Sequence, residues 1–428
     1  MSGAGQAAAP SALVLGAGVA GLSTALYLHR AGWEVTVLDP LGPAGGASFG
    51  NAGALSADTS IPIALPGMLR KVPGWLMDPL GPLAVRPSYL PRAAPWLMRW
   101  ALAGRIERVL AISDAMRSLH EGTFACWREM LGDELYRDIV RQTGQVQIWE
   151  SAEESPTARL ERELRDRQSI PYEVLGPDEL RQLLPGLSPA ITRGVLMPRN
   201  GHVVNPARAV HSLAALLQQE GGTILPERAM KLVPRTDGGG WTVITNTANR
   251  AAAAVVVAGG AWSGALLGPL GLRLPLETER GYHAALPVSL PDLRLPVTHK
   301  DRGFIVTPME HEVRIAGTVE IAGLEAAPDE RRARILAGHA QRLFPGLAAA
   351  EPRAGAAEPR LWMGFRPSLP DSLPVLGPAP GLPGLHLCLG HGHFGMTAGP
   401  PSGRLVAALV AGRPAPIDPE PYSALRFR

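Results

Sequence analysis

The first forty residues carry two hydrophobic periods in succession. Ala12 to Leu15 is an apolar run of strand length, and it passes directly into Gly16-Ala17-Gly18-Val19-Ala20-Gly21. Helical spacing follows, with Ala25 and Leu28 on the side that faces a sheet and Gly32 at its end. Glu34 to Leu38 reads as a second strand, with Val35 directed into the core and Asp39 closing it. The pattern predicts a βαβ unit with a glycine-rich first turn.

Beyond this unit the periodicity changes several times. Eight prolines between Pro62 and Pro95 argue against a long helix or a central strand there. Ala103 to Ile139 is helical, with a stripe through Val109, Ile112, Met116, Leu119, Thr123, Cys126 and Met130. Gly144 to Trp149 alternates as a strand, Ala152 to Arg167 reads as a charged helix, and a Pro-rich connector runs to Pro198. Asn205 caps a helix that opens on Pro206, carries Val210, Leu213, Leu216 and Leu217 on its apolar side and stops at Gly221. Strands are expected at Met230 to Val233, Trp241 to Ile244 and through the apolar run from Ala251, which ends at Gly259-Gly260. Residues 277–286 read as a strand, Phe304 to Thr307 and Val313 to Gly317 as a hairpin, Leu385 to Leu389 as a strand, and Arg404 to Val410 as a closing helix.

The glycine turn has a chemical reading. Gly16 permits the tight turn, Gly18 lets the backbone approach a pyrophosphate, and Gly21 lets the helix pack on the sheet. The helix N-terminus, at Val19 and Ala20, offers N–H groups to phosphates. Asp39, 18 residues beyond Gly21, is placed to accept hydrogen bonds from a ribose. The loop from Gly42 to Gly53, with Ser48, Asn51 and Ala52, can wrap the far side of the same dinucleotide. An NAD-binding domain normally completes its sheet continuously. A fingerprint at the N-terminus with a late return at Gly259 is instead the layout of a flavoprotein. The turn Gly390–Gly395 leads to a helix start whose positive dipole end can stabilise a reduced flavin.

Composition narrows the class. The 428 residues, 46% hydrophobic and 18% charged, suit two globular domains. With 41 basic and 38 acidic residues and no long basic run, nucleic acid is not an expected partner. Cys126 and Cys388 suggest no disulfide framework, and no metal-type Cys/His spacing is present. No signal peptide or membrane span is read at the N-terminus, so the cytoplasm is the expected location. Trp75, Trp96 and Trp100 with Arg70, Lys71, Arg86, Arg92 and Arg99 leave two readings open for residues 61–100: a peripheral membrane patch, or a buried connector between domains.

The segments GAGVAGLSTALYL…VLD, SFGNAG, NPAR, VVVAGGAWS, ERGYHAAL, GFIVTPM…VRIAGT, GFRPSLPDSLPVLG and GHGHFGMT, in this order over nearly the whole chain, resemble the D-amino acid oxidase superfamily. The likeness is greatest to bacterial FAD-dependent D-amino acid dehydrogenases, with relatives among glycine, sarcosine and opine oxidases. The resemblance implies an α/β and α+β fold: a Rossmann-type FAD-binding domain (1–60, 197–268, 355–428) and a discontinuous substrate domain (61–196, 269–354). The mainly antiparallel sheet of the second domain would cover the flavin.

It also implies roles. Gly16, Gly18, Gly21 and Asp39 would hold the ADP portion, and Ser48, Asn51 and Gly53 would lie along the ribityl and flavin portion. The loop Gly390, His391, Gly392, His393, Phe394, Gly395, Met396 and Thr397 would cup the pyrimidine edge. Arg366 matches a substrate-carboxylate clamp, which suits its bidentate geometry. Tyr282 matches an aromatic hydroxyl beside the substrate, and His283, where the dehydrogenases usually have a small hydroxyl residue, is a further candidate catalytic group. Side chains alternate along a strand, so Tyr282 and His283 cannot both face one cavity. No cysteine lies near Gly364, where relatives with tethered flavin have one, so FAD is expected to bind noncovalently.

The implied reaction is oxidation of a D-amino acid by hydride transfer to flavin, hydrolysis to a 2-oxo acid and ammonia, and delivery of electrons to a membrane quinone or similar respiratory acceptor. No general base stands out in the sequence, and none is needed if the amine binds unprotonated. Other readings are a glycine-, sarcosine- or opine-type oxidase using dioxygen, a redox-silent FAD-binding subunit of a hetero-oligomer, and an NAD-dependent dehydrogenase.

Overall fold

A computed structural model describes residues 9–68, 74, 81–236, 238–288, 290–349 and 358–428. Ser11–Leu15 and Glu34–Leu38 pair in parallel, joined by the helix Val19–Arg30. Gly16 takes φ +119°, and a Cβ there would collide with the Ala258 carbonyl. Gly21 packs so closely on Gly16 that a side chain would strike its carbonyl oxygen. Only glycine fits this turn.

The unit grows into a six-stranded sheet in the order Thr223–Leu225, Glu34–Leu38, Ser11–Leu15, Ala254–Val257, Leu385–Leu389, Val375–Pro378. The last strand alone runs antiparallel. Strands from three distant parts of the sequence thus complete one sheet, as the late return of the apolar pattern implies. The helices Val19–Arg30, Pro206–Gln219 and Gly395–Val410 share a core on one face of it. The small meander Ala229–Pro234, Trp241–Thr245, Asn249–Ala252 covers the other face with Leu232, Trp241 and Val243.

A nine-stranded sheet forms the second layer. At one edge are Arg360–Ser368, then Glu277–Leu286 and Val313–Ile321, which pair antiparallel. Phe304–Pro308 follows as the hairpin partner, and Leu83–Val85 adds in parallel beside Val313–Ile321. The helix Arg331–Leu343 packs Ala333, Leu336 and Ala340 on the back of this sheet. Arg360–Ser368, expected with the nucleotide-binding domain, is therefore an edge strand of the covering sheet.

Several local expectations require correction. Leu90–Ala103 is a 14-residue helix despite its prolines. Pro91 lies in the first turn, where no N–H partner is needed, and Pro95 removes a single bond further on. Its Trp96 and Trp100 are buried in the first core, and Trp96 Nε1 donates to the Ser368 carbonyl. These two tryptophans therefore connect layers and do not face a membrane. Arg70, Lys71 and Trp75 lie outside the described residues.

The helical stretch from Ala103 divides into Ile106–His120 and Thr123–Ile139, the second interrupted at Gly132 with φ +74°. The apolar run from Ala251 splits between two sheets at Ala253. The closing helix starts at Gly395 and contains Pro400 and Pro401. Gly399 and Gly403 bring this helix against Val19 and Ser23, where a Cβ on Gly403 would stand 2.6 Å from that of Ser23. Gly403→Val should force the two helices apart and cost about 1–3 kcal/mol, read as a lowered Tm on thermal unfolding.

Candidate active site

The two layers enclose a cavity of about 970 Å³ that runs from the first glycine turn to the face of the larger sheet. Gly16, Gly18, Val19, Ala20 and Asp39 line one end. Ser48 Oγ accepts from Val19 N–H (3.1 Å), and Asp39 accepts from Ala17 and Leu41 N–H groups (both 2.8 Å). These bonds fix the turn and leave carboxylate lone pairs for a hydroxyl ligand. Ser48, Asn51, Ala52 and Gly259 carry the lining inward, and Gly390 through Thr397 close the far side.

At the inner end the sheet itself is shaped by glycine. Gly281 and Gly364 face each other across the strands Glu277–Leu286 and Arg360–Ser368. The Arg366 guanidinium lies over Gly281 and the Trp362 indole over Gly364 and Gly50, each in space that a Cβ would fill. A bulge in Val313–Ile321 puts Thr318 at φ +54°, a costly conformation for a β-branched residue. Its carbonyl accepts from Arg366 Nη1 at 3.3 Å. No described carboxylate forms an ion pair with Arg366, although Glu279 is its cross-strand neighbour. Burial draws the Arg366 pKa down, with Glu279 opposing.

Glu279 is 6% exposed and lines the cavity. His393 Nε2 donates to its Oε2 at 2.6 Å. Burial raises the Glu279 pKa, but the charge and hydrogen bond of His393, with Arg366 behind them, outweigh it and hold the carboxyl below its usual range. An apolar wall of Leu83, Val85, Leu97, Trp96 and Trp100 stands in the same cavity.

A profile described as "FAD dependent oxidoreductase" matches residues 11–409. The chain belongs to this FAD-dependent oxidoreductase family. It is 38% identical over 418 residues to a D-amino-acid oxidase of Bradyrhizobium diazoefficiens, covering 97% of this chain and 98% of that one. It is 33% identical over 425 residues to a D-amino acid dehydrogenase of Xylella fastidiosa, covering 97% and 95%. Among solved structures, glycine oxidase from Geobacillus kaustophilus superposes with a TM-score of 0.72 at 23% identity, covering 97% and 98% of the two chains. L-proline dehydrogenase from P. horikoshii gives 0.75 at 18% identity, covering 98% of each.

The cradle of this family member fits its FAD. The cavity begins at the N-terminus of Val19–Arg30, whose first-turn N–H groups have no acceptor within the helix, and the N-terminus of Gly395–Val410 borders the inner end. Both cysteines are buried free thiols, and Cys388 is pushed up to about 12 by burial, so neither offers a thiolate for a covalent tether. FAD is held noncovalently.

The expected site residues separate into two groups. Arg366 reaches the cavity, as do Gly16, Gly18, Val19, Ala20, Asp39, Ser48, Asn51, Ala52, Gly259 and the Gly390–Thr397 loop. Gly21 and Gly53 act instead through the backbone: Gly53, at φ +74°, sits against the Val203 carbonyl in space a side chain would need. Tyr282 also borders the cavity, but its hydroxyl is turned to the core behind the sheet, where it donates to Glu320 (2.6 Å) and accepts from Asp329 N–H (3.0 Å), and it is pushed up to about 12 by burial and then Glu320.

His283 also differs from expectation. Its Nδ1–H donates to the Gly50 carbonyl (2.9 Å) and its ring stacks on Trp362 at 5.0 Å, so it backs the indole from outside the cavity. His391 lines the cavity with Nε2 unpartnered, while Thr397 Oγ1 ties Ser56 N–H and the Ala54 carbonyl to the closing helix. Glu279 and Trp362 are site residues that sequence reasoning passed over. The signal for Glu279 was a charge in a strand otherwise buried along its length.

Burial pushes His120, His283 and His391 from 6.5 down to about 4, so the folded protein keeps them neutral. Their unfolded forms take up protons first as pH falls below about 6.5. Stability present above that pH should therefore fall between pH 6.5 and 4, by up to about 1.4 kcal/mol per pH unit for each histidine. Chemical denaturation across this range checks it, and His283→Gln should flatten the slope.

Proposed function

We propose that this chain catalyses FAD-dependent oxidative deamination of D-amino acids, or closely related amino acids, to 2-oxo acids and ammonia, with a quinone-type acceptor taking the electrons. The observation that carries the reading is Arg366, spread over Gly281 at the cavity wall with no ion-pair partner among the described residues. A guanidinium in that setting binds an α-carboxylate through two parallel hydrogen bonds and fixes the α-carbon by doing so. FAD, when bound, supplies the two-electron oxidant. The chain's residues contribute position: Arg366 orients the carboxylate, Trp362 bounds the space beside it, and the apolar wall receives the side chain and excludes water.

The names of the relatives at 33–38% identity support a D-amino acid as substrate. One of them is an oxidase, which makes dioxygen the second reading for the acceptor. Hydrogen peroxide formed under air would favour that reading, and its absence with rapid dye reduction would favour a quinone. A glycine-, sarcosine- or opine-type amine is tested in the same panel of D-, L- and N-methylated amino acids and opines, scored by anaerobic flavin bleaching. A protein that no member bleaches would be the redox-silent subunit.

No described helix is long and apolar enough to cross a membrane. Contact with a quinone-bearing membrane would fall to the outer face of Leu90–Ala103, where Leu90, Met98 and Leu102 are 45%, 63% and 42% exposed beside Arg92 and Arg99. Met98→Glu with Leu102→Glu should abolish co-sedimentation with anionic vesicles. Arg366→Lys should keep the yellow colour and weaken substrate binding by about 1.5–3 kcal/mol, roughly ten- to a hundredfold, in flavin-bleaching titrations.

A further inference from the structure

We propose that His393, held by Glu279, takes the proton from the substrate's ammonium group and so makes the reactive free amine. This rests on the amino acid substrate proposed above. An α-amino acid arrives as a zwitterion, and its nitrogen can drive loss of the α-hydrogen only with a lone pair. A group beside the carboxylate clamp must accept that proton, or only the small unprotonated fraction reacts.

The geometry points to one acceptor. Glu279 stands directly across from Arg366 on neighbouring strands, and both line the same cavity as His393, so a ligand held by its carboxylate at Arg366 lies beside the Glu279–His393 pair. Glu279 can only accept when ionised, so His393 Nε2 carries the hydrogen of their 2.6 Å bond. In the neutral imidazole the lone pair then lies on Nδ1, which has no hydrogen-bond partner among the described residues. The His393 side chain is 30% exposed and lines the cavity. Carboxylate, imidazole and open nitrogen form an oriented base, the carboxylate fixing the tautomer and stabilising the imidazolium.

The charges balance at each stage. The N–H bond of the ammonium breaks, its electron pair stays on the substrate nitrogen, and a new N–H bond forms at His393 Nδ1. The imidazolium is then paired with Glu279, and the substrate carboxylate with Arg366. The other charged group at this pair is Arg366, whose charge acts on Glu279; His391 lies on the same turn as His393, and His120 packs on Phe394. Burial keeps both of those histidines neutral, so neither competes for the proton.

The test uses the FAD-loaded protein, with D-alanine, D-leucine and D-phenylalanine as probes. Bleaching of the wild-type flavin by none of them overturns the substrate reading and not the dyad. The dyad is read separately, by nitrogen NMR of the neutral His393 ring, which should carry its hydrogen on Nε2 in the wild type and lose that preference in Glu279→Ala. A ring whose tautomer is the same in Glu279→Ala overturns the proposal without touching the substrate reading. Where a probe reacts, His393→Gln should lower kcat/KM at neutral pH about a hundredfold and replace the acid limb with a rise that continues to the amine's own pKa. Glu279→Gln should move that limb to lower pH. Added imidazole should restore part of the rate in His393→Ala, a response a structural role would not give. A His393→Gln enzyme with the wild-type rate and profile overturns the proposal.

Discussion

The placement of one cation organises the inner end of this molecule. Arg366 needs room to lie flat, and Gly281 provides it by leaving bare backbone under the guanidinium. It needs an acceptor to hold its plane, and the bulge at Thr318 turns a carbonyl toward it at the cost of a left-handed β-branched residue. It also needs Glu279 near enough to moderate its charge but not paired with it. Each neighbour is unfavourable alone: a glycine in a strand, a strained threonine, a buried carboxylate. Together they hold the guanidinium at the cavity wall.

The surrounding layers serve that arrangement. The six-stranded sheet presents its glycine turn at one end of the cavity, and the nine-stranded sheet presents Arg366 at the other. The helix Leu90–Ala103 spans between them, with Trp96 anchored on the Ser368 carbonyl two residues beyond Arg366. The apolar wall of the cavity is thus tied to the strand that carries Arg366. Membership of the FAD-dependent oxidoreductase family agrees with a site in which the cofactor brings the oxidising power and the protein contributes position and charge.

The back of the covering sheet has a separate electrostatic order. Arg280 donates to the Gly323 carbonyl and lies 3.6 Å from Glu320, which Tyr282 and Arg86 also contact. This network fastens Glu277–Leu286 to the segment after Val313–Ile321. It gives Tyr282 a structural place, on the opposite face from Glu279 and Gly281, as strand alternation requires.

The sequence by itself determined the parts whose cause is local. Gly16 and Gly21 announce the turn because no other residue fits there, Asn205 and Pro206 announce a helix start, and two-residue alternation marks the strands of the hairpin. The choice between Tyr282 and His283, the pairing of Glu279 with His393 and the burial of Trp96 and Trp100 were decided only by the tertiary structure. A strand's period says that neighbours face opposite ways, but only packing says which face meets the cavity. Residues 114 positions apart become partners only when a sheet and a distant helix start are brought together. The prolines around Leu90–Ala103 misled for a related reason: where they fall relative to the helix start, and which face then meets a core, are set by contacts far away in the chain.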